Sequence, residues 1–94
     1  MTDKKAVRVI ISGKVQGVFF RMETKRAAHR FRVNGWVQNK RDGTVEALFE
    51  GETKNVDDII EWCRKGPEMA SVTGIQIHQI NASGECVDFL IRYT

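Results

Sequence analysis

The chain has 94 residues, a length that predicts one domain, residues 1–94, built around one small core. Its 15 lysine and arginine residues against 12 acidic residues give a net charge of +3. This charge suits a small anionic ligand but is lower than the strong positive charge of a dedicated nucleic-acid binder. No apolar run is long enough to span a bilayer. The N-terminal residues Met1-Thr2-Asp3-Lys4-Lys5 are polar and show no apolar segment of a signal peptide, so we expect a cytoplasmic protein.

The first predicted strand covers residues 7–12, and a loop bracketed by glycines connects it to a helix. β-Branched residues alternate along the strand, so its odd-numbered residues share one face. The connecting stretch reads Gly13-Lys14-Val15-Gln16-Gly17-Val18-Phe19-Phe20-Arg21. Apolar residues then recur at helical spacing from about residue 20 to residue 32. We expect Asn34-Gly35 to end this helix, because both residues tolerate the left-handed conformation.

A hairpin is predicted from residues 36–39 and 45–50 around the turn at residues 40–44, where Asp42-Gly43 is the turn signal. In the second strand of this hairpin, every other side chain is apolar. The residues predicted to face inward are Val45, Ala47 and Phe49, and those predicted to face outward are Glu46, Leu48 and Glu50.

The second helix is predicted to begin at Asn55, a favourable N-cap residue, with Asp57 and Asp58 in its first turn. Gly66 and Pro67 end it, since glycine accepts the left-handed cap and proline cannot continue a helix. Its apolar stripe consists of Val56, Ile59, Ile60 and Cys63.

Two more strands are predicted, over residues 72–80, with Ile75 and Ile77 inward, and over residues 89–93. The order is therefore strand–helix–strand–strand–helix–strand with one additional C-terminal strand. Two split β-α-β units in this order indicate a ferredoxin-like α+β sandwich, an antiparallel sheet of four to five strands with two helices on one face. The sequence leaves open how the last two strands share an edge.

The loop and Arg21 form the first candidate site. Turns at the glycines let backbone N–H groups converge, and the helix start adds unpaired donors and a partial positive charge. Arg21 lies in the first turn, where the helix dipole disfavours a cation by roughly 0.3–1 kcal/mol unless an anion is bound. Its planar guanidinium matches two oxygens of a phosphate. These features predict a site for a small, doubly charged oxyanion.

Asn39, at the end of a predicted strand, is the second candidate. An asparagine there most often begins a turn, yet its amide both donates and accepts and can therefore orient a water molecule. His29 and His78 are predicted to lie on the surface, and Cys63 and Cys86 lack metal-ligand spacing. We therefore expect no metal site. In a reducing compartment we expect two free thiols, and a Cys63–Cys86 disulfide is the less favoured alternative.

Two motifs of the chain resemble the signatures of acylphosphatases. The first is the stretch of residues 13–21, which matches Gly-x-Val-Gln-Gly-Val-x-Phe-Arg. The second is Gly35-Trp36-Val37-Gln38-Asn39, followed by Asp42-Gly43-Thr44-Val45-Glu46. The resemblance extends over nearly the whole chain and includes Trp62 and the Gly66-Pro67 helix stop.

This resemblance implies hydrolysis of the carboxyl–phosphate bond of acyl phosphates without a metal or other cofactor. It implies that Arg21 binds the phosphate and that Asn39 positions the attacking water. The loop amides implied to bind the phosphate with Arg21 are those of Gln16, Gly17, Val18, Phe19 and Phe20. The expected partner is a small acyl phosphate, with no nucleic acid and no membrane, and the expected state is a monomer.

Three alternatives remain open. RNA-recognition modules share this topology, although the outward carboxylates Glu46 and Glu50 would repel a phosphate backbone. Acylphosphatase-like domains also occur within larger proteins that handle carbamoyl phosphate, but a free-standing enzyme is favoured here. The fold could also bind phosphate without turning over a substrate.

Overall fold

The computed structural model describes residues 3–93, which form two helices and one five-stranded sheet. The elements in chain order are β1 (Lys4–Lys14), α1 (Phe20–Phe31), β2 (Asn34–Asn39), β3 (Val45–Glu52), α2 (Thr53–Lys65), β4 (Ser71–Ile80) and β5 (Phe89–Arg92). Met1 and Thr2 of the predicted polar start lie outside the described residues. Neither helix within residues 3–93 has the length and apolar character needed to cross a membrane.

The strands lie in the order β4-β1-β3-β2-β5. β3 pairs antiparallel with both β1 and β2, and β1 pairs antiparallel with β4. This order places β3, from the second split unit, between the two strands of the first, and the predicted ferredoxin-like α+β sandwich is confirmed. β5 pairs parallel with β2, so the sheet is mixed and its last two strands lie at opposite edges.

The core lies between the helices and one face of the sheet. The predicted inward residues of β1 and β3 are all fully buried, namely Val7, Val9, Ile11, Val45, Ala47 and Phe49. The predicted stripe of α2 is buried too, and Phe20 of α1 packs edge-on against Trp62 with ring centroids 6.0 Å apart. Burying each such aliphatic or phenyl side chain stabilises the fold by about 1.5–3 kcal/mol. The packed core therefore holds the ends of β1 and β2, next to the candidate residues Arg21 and Asn39, in place.

β4 is an edge strand, and its inward residues are only partly covered. Its register pairs Ile75 with Ile11 and Ile77 with Val9, so both side chains lie on the helix side as predicted. Ile75 packs against the core, whereas Ile77 is 41% exposed.

The predicted end of α1 at Asn34-Gly35 is wrong. The helix ends at Phe31, and Arg32 adopts the left-handed conformation with φ of 59°. The N–H of Arg32 donates to the His29 carbonyl, and the next N–H, of Val33, donates to the Ala28 carbonyl. This bonding satisfies the last carbonyls of the helix, so an arginine takes the position that glycine usually occupies.

The predicted start of α2 at Asn55 is also wrong. The helix begins at Thr53, after Glu52, so Asn55 lies inside it and Asp57 and Asp58 lie beyond its first turn. β3 runs directly into α2, and Thr53 is fixed by its N–H, which donates to the Asp3 carbonyl at 3.0 Å. This tertiary bond replaces the local cap that the sequence favoured.

Gly35 is a position where we expect substitution to destabilise the fold. It has φ of 141°, and a Cβ atom there would lie 1.8 Å from the Leu48 carbonyl oxygen. We expect Gly35→Ala to lower the free energy of unfolding by about 3 kcal/mol, because backbone strain and overpacking add. Gly43 has φ of 92° but open space around it. Gly43→Ala is therefore the control, with an expected loss of about 1 kcal/mol in denaturant unfolding. Equal losses for the two variants would contradict the steric argument.

Candidate functional site

The loop of residues 15–19 passes through the left-handed region twice before α1 begins. Gly17 has φ of 74° and Phe19 has φ of 61°. The first helical hydrogen bond runs from the N–H of Glu23 to the Phe19 carbonyl, at 3.0 Å. Within residues 3–93 no hydrogen bond uses the N–H groups of residues 17–22. Unbonded donors at the positive end of a helix favour an anionic ligand.

Gly13 sets the direction in which this loop leaves the sheet. The β1–β4 register shifts between Ser12 and Gly13, where φ is 122°. A Cβ atom at Gly13 would lie 2.1 Å from the Ser71 carbonyl oxygen. Only glycine fits this close approach of two backbones, which explains the first glycine of the motif.

Arg21 lies in the first turn of α1, half-buried, and its side chain stacks on an aromatic ring. The guanidinium carbon is 5.0 Å from the centroid of the Tyr93 ring. Because the Tyr93 ring is exposed, this cation–π contact contributes only about 0.5–1 kcal/mol, and it restricts the orientation of the guanidinium. Tyr93 was predicted only as part of an alternating strand, so its contact with Arg21 is new information from the structure.

Asn39 is the last residue of β2, and its side chain lies on the helix side of the sheet. It pairs with Val45, which is fully buried on that side. The parallel register of β2 and β5 pairs Val37 with Ile91. The last pair in this register is Gln38 with Arg92, so Tyr93 follows directly after β5, and it lines the same pocket as Asn39 and Arg21.

Gln16 ties the loop to the β2–β3 turn through its side chain. Its Nε2 donates to the carbonyl of Lys40 at 2.7 Å and to the carbonyl of Thr44 at 2.9 Å. The Lys40 N–H also donates to the Thr44 carbonyl, at 2.9 Å. Both protons of one amide group therefore hold the turn that begins directly after Asn39. Sequence reasoning assigned Gln16 only a backbone role and gave no signal for this bridge.

Asp42 makes the same turn rigid from within. Its Oδ1 accepts from the Thr44 hydroxyl at 2.6 Å and from the Thr44 N–H at 3.0 Å. These hydrogen bonds lower the pKa of the Asp42 carboxyl below its usual value. The turn is therefore bonded on both sides, by Asp42 within it and by Gln16 across from it.

A pocket of about 260 Å³ lies at the loop and helix start. The residues with a predicted site role that line it are Gly17, Phe19, Phe20, Arg21 and Asn39. The further lining residues are Val15, Met22, Ile91 and Tyr93. Gln16 and Val18 do not line the pocket, because the Gln16 side chain bonds to the turn and Val18 is buried in the core. The pocket thus combines a cation, an amide and unbonded N–H groups with apolar walls.

The other reactive groups within residues 3–93 lie outside this pocket. Cys63 and Cys86 are free thiols, and burial raises the pKa of the Cys63 thiol, which keeps it protonated. Among the described residues no three His, Cys, Asp or Glu side chains are grouped so that they could hold a metal ion. On the outer sheet face, Glu46 accepts from Arg8 and Glu50 accepts from the N–H of Ser83.

Comparison with known proteins places this chain in a family. The family model described as Acylphosphatase matches residues 7–91. An acylphosphatase of Syntrophus aciditrophicus is 51% identical over 89 residues, which are 95% of this chain and 93% of that relative. One of Rubrobacter xylanophilus is 50% identical over 88 residues, 94% of this chain and 80% of the relative. The solved structure of an acylphosphatase from Coxiella burnetii is similar with a TM-score of 0.91 at 34% identity, covering 96% of this chain and 94% of that one.

The fold and the pocket define a small α+β sandwich with a pocket at the loop that leads into α1. Sequence identity then names the family. The chain belongs to the acylphosphatase family, and the predicted class of enzyme, a hydrolase acting on acid anhydrides, is confirmed.

Proposed function

We propose that the chain hydrolyses the carboxyl–phosphate bond of acyl phosphates, with the phosphate held by Arg21 and the loop amides and the water held by Asn39. The observation that carries this proposal is the pocket where unbonded N–H groups, Arg21 and Asn39 come together. Charge-assisted hydrogen bonds of this kind stabilise a bound phosphate by roughly 1.5–3 kcal/mol each. The amides of residues 16–20 supply the donors, with Gly17, Phe19 and Phe20 lining the pocket itself.

The reaction needs positioning and charge stabilisation more than acid–base chemistry. Water attacks phosphorus in line, the bond from phosphorus to the acyl oxygen breaks, and the carboxylate leaves with the electron pair. A carboxylate is a good leaving group and needs no strong general acid. The Asn39 amide orients the water but does not ionise, so the water's proton passes to a phosphate oxygen. Arg21 and the N–H groups stabilise the charge on the phosphoryl oxygens.

The direct test is hydrolysis of acetyl phosphate by the purified chain in excess chelator. We expect turnover that chelator does not reduce and no comparable turnover of ordinary phosphate monoesters. Lack of acetyl phosphate hydrolysis would reject the enzymatic proposal and leave phosphate binding without turnover. Preference for monoesters would reject the proposed substrate class. A cytoplasmic location and a monomeric state are further predictions of the same proposal.

Gln16→Glu is expected to lower kcat for acetyl phosphate by roughly tenfold to a hundredfold. The carboxylate that replaces the amide faces the carbonyls of Lys40 and Thr44, so the turn loses two hydrogen bonds and gains repulsion. The displaced turn moves Asn39 away from the water. Gln76→Glu, an exposed residue of edge strand β4, is the control and should leave kcat unchanged.

A double-mutant cycle separates this positioning role from general loss of stability. In the Asn39→Ala background, Gln16→Glu should lower kcat far less than it does in the wild type, because its effect acts through Asn39. Additive losses in kcat would show that Gln16 acts independently of Asn39 and would contradict the role proposed here.

A further inference from the structure

The pocket continues into a larger groove on its helix side. Phe19 and Met22 line both the pocket and a neighbouring groove of about 1200 Å³. The groove runs between α1, the end of α2 and the segment of residues 66–70. Its apolar surface includes Trp62 and Met69. We propose that this groove binds the acyl group of the substrate and that the preferred acyl group is uncharged and apolar, an aryl or medium-chain group. This inference rests on the proposed hydrolysis of acyl phosphates.

The position of the groove follows from the chemistry of the substrate. The acyl group is covalently attached to the phosphate, so a phosphate on Arg21 holds the acyl group within a few ångströms of the pocket wall. That wall is formed in part by Phe19 and Met22. An acyl group longer than acetyl therefore has Phe19 and Met22 within reach as apolar contacts.

The groove leaves large apolar side chains in contact with water in the free protein. Phe19 is 67% exposed, Met22 46% and Met69 65%. Adjacent exposed residues of this size mark a surface that a ligand covers, since covering apolar area contributes about 25 cal/mol per Å². Methionine side chains adapt to ligands of different shape, which fits a range of apolar acyl groups.

The charges at the rim of the groove favour an uncharged acyl group. The cations are Arg26, Arg30 and Lys65, and the carboxylates are Glu23, Glu61 and Glu68. Glu23 already pairs with Arg26 at 2.9 Å, and Arg30 stacks on Phe31 with the guanidinium carbon 5.1 Å from the ring centroid. The equal numbers leave no net charge that would select an acidic or a basic acyl group.

The test compares acetyl phosphate with phenylacetyl phosphate, each rate divided by the uncatalysed rate. We expect kcat/KM of the wild type to be at least about tenfold higher for phenylacetyl phosphate. Met69→Ser should lower kcat/KM for phenylacetyl phosphate by about three- to tenfold, mainly by raising KM, and leave acetyl phosphate unchanged. Met69 lies in the groove and outside the phosphate pocket, so it does not contact a bound phosphate.

Val87→Ser is the matched control, because Val87 is an apolar residue that is 89% exposed and lies outside the groove. It should change neither substrate. Equal wild-type kcat/KM for the two substrates, or an equal loss for both in Met69→Ser, would overturn the acyl-binding role of the groove while hydrolysis itself stands. Failure of the wild type to hydrolyse either substrate would instead reject the proposed function.

Discussion

Arg21→Lys is expected to lower kcat/KM for acetyl phosphate by at least about a hundredfold, with a weaker affinity for inorganic phosphate. A lysine keeps the charge but presents a compact ammonium in place of a planar fork of donors. It also loses the stacking on Tyr93, where the guanidinium now lies 5.0 Å from the ring centroid. Both the number of phosphate bonds and their orientation therefore change, which affects the ground state and the transition state together.

The measurement is steady-state kinetics together with the inhibition constant of inorganic phosphate. Arg64→Lys is the control, because Arg64 is an exposed residue of α2 that pairs with Glu61 at 3.1 Å and lies outside both the pocket and the groove. It should leave both constants unchanged, since a surface ion pair contributes little. Near-normal kcat/KM in Arg21→Lys would contradict the assignment of the phosphate to Arg21.

The parts of the fold that sequence predicts well are those fixed by local pattern. The alternation in β3 identifies its buried face, because Val45, Ala47 and Phe49 lie on the same side of the strand and only that side is apolar along its length. Gly17 is predictable for a similar local reason, because its own turn needs positive φ. The need for glycine at Gly13 comes instead from the Ser71 backbone of β4, a distant partner that the sequence does not identify.

The boundaries of the helices depend on contacts that local pattern does not contain. Arg32 adopts the left-handed conformation that was predicted for Asn34-Gly35, because hydrogen bonds to the carbonyls of Ala28 and His29 hold it there. Asn55 has a better capping side chain than Glu52, yet α2 starts at Thr53, whose N–H donates to the carbonyl of Asp3, just before β1. At Thr53 a tertiary hydrogen bond overrides intrinsic preference, whereas at Arg32 hydrogen bonds to the last turn of α1 do so.

The sequence predicts the two motifs of the candidate site but not the residues that connect them in the structure. Arg21 and Asn39 were chosen from separate stretches, and the sequence does not give the distance between them. The joining residues are Tyr93, which reaches Arg21 through the parallel pairing of β5 with β2, and Gln16, which reaches the β2–β3 turn. Each joins residues more than twenty positions apart, and no periodicity reports such a pairing.

Asn39→Ala is expected to lower kcat for acetyl phosphate by roughly a hundredfold to a thousandfold and to leave the inhibition constant of inorganic phosphate nearly unchanged. In the proposed mechanism Asn39 contacts the attacking water, whereas Arg21 and the loop amides contact the phosphate. Removing its amide should therefore weaken an interaction made in the transition state and spare the binding of phosphate.

Asn34→Ala is the matched control on the same strand. Asn34 lies on the outer side of β2, where its Nδ2 donates to the Cys86 carbonyl at 3.0 Å. The control should lower the free energy of unfolding by about 1 kcal/mol and leave kcat unchanged. This pair of variants separates loss of a hydrogen bond in β2 from loss of the water-holding amide. A kcat for Asn39→Ala close to that of Asn34→Ala would mean that the water is held by another group, and a parallel loss of phosphate affinity would mean that Asn39 contacts the phosphate instead.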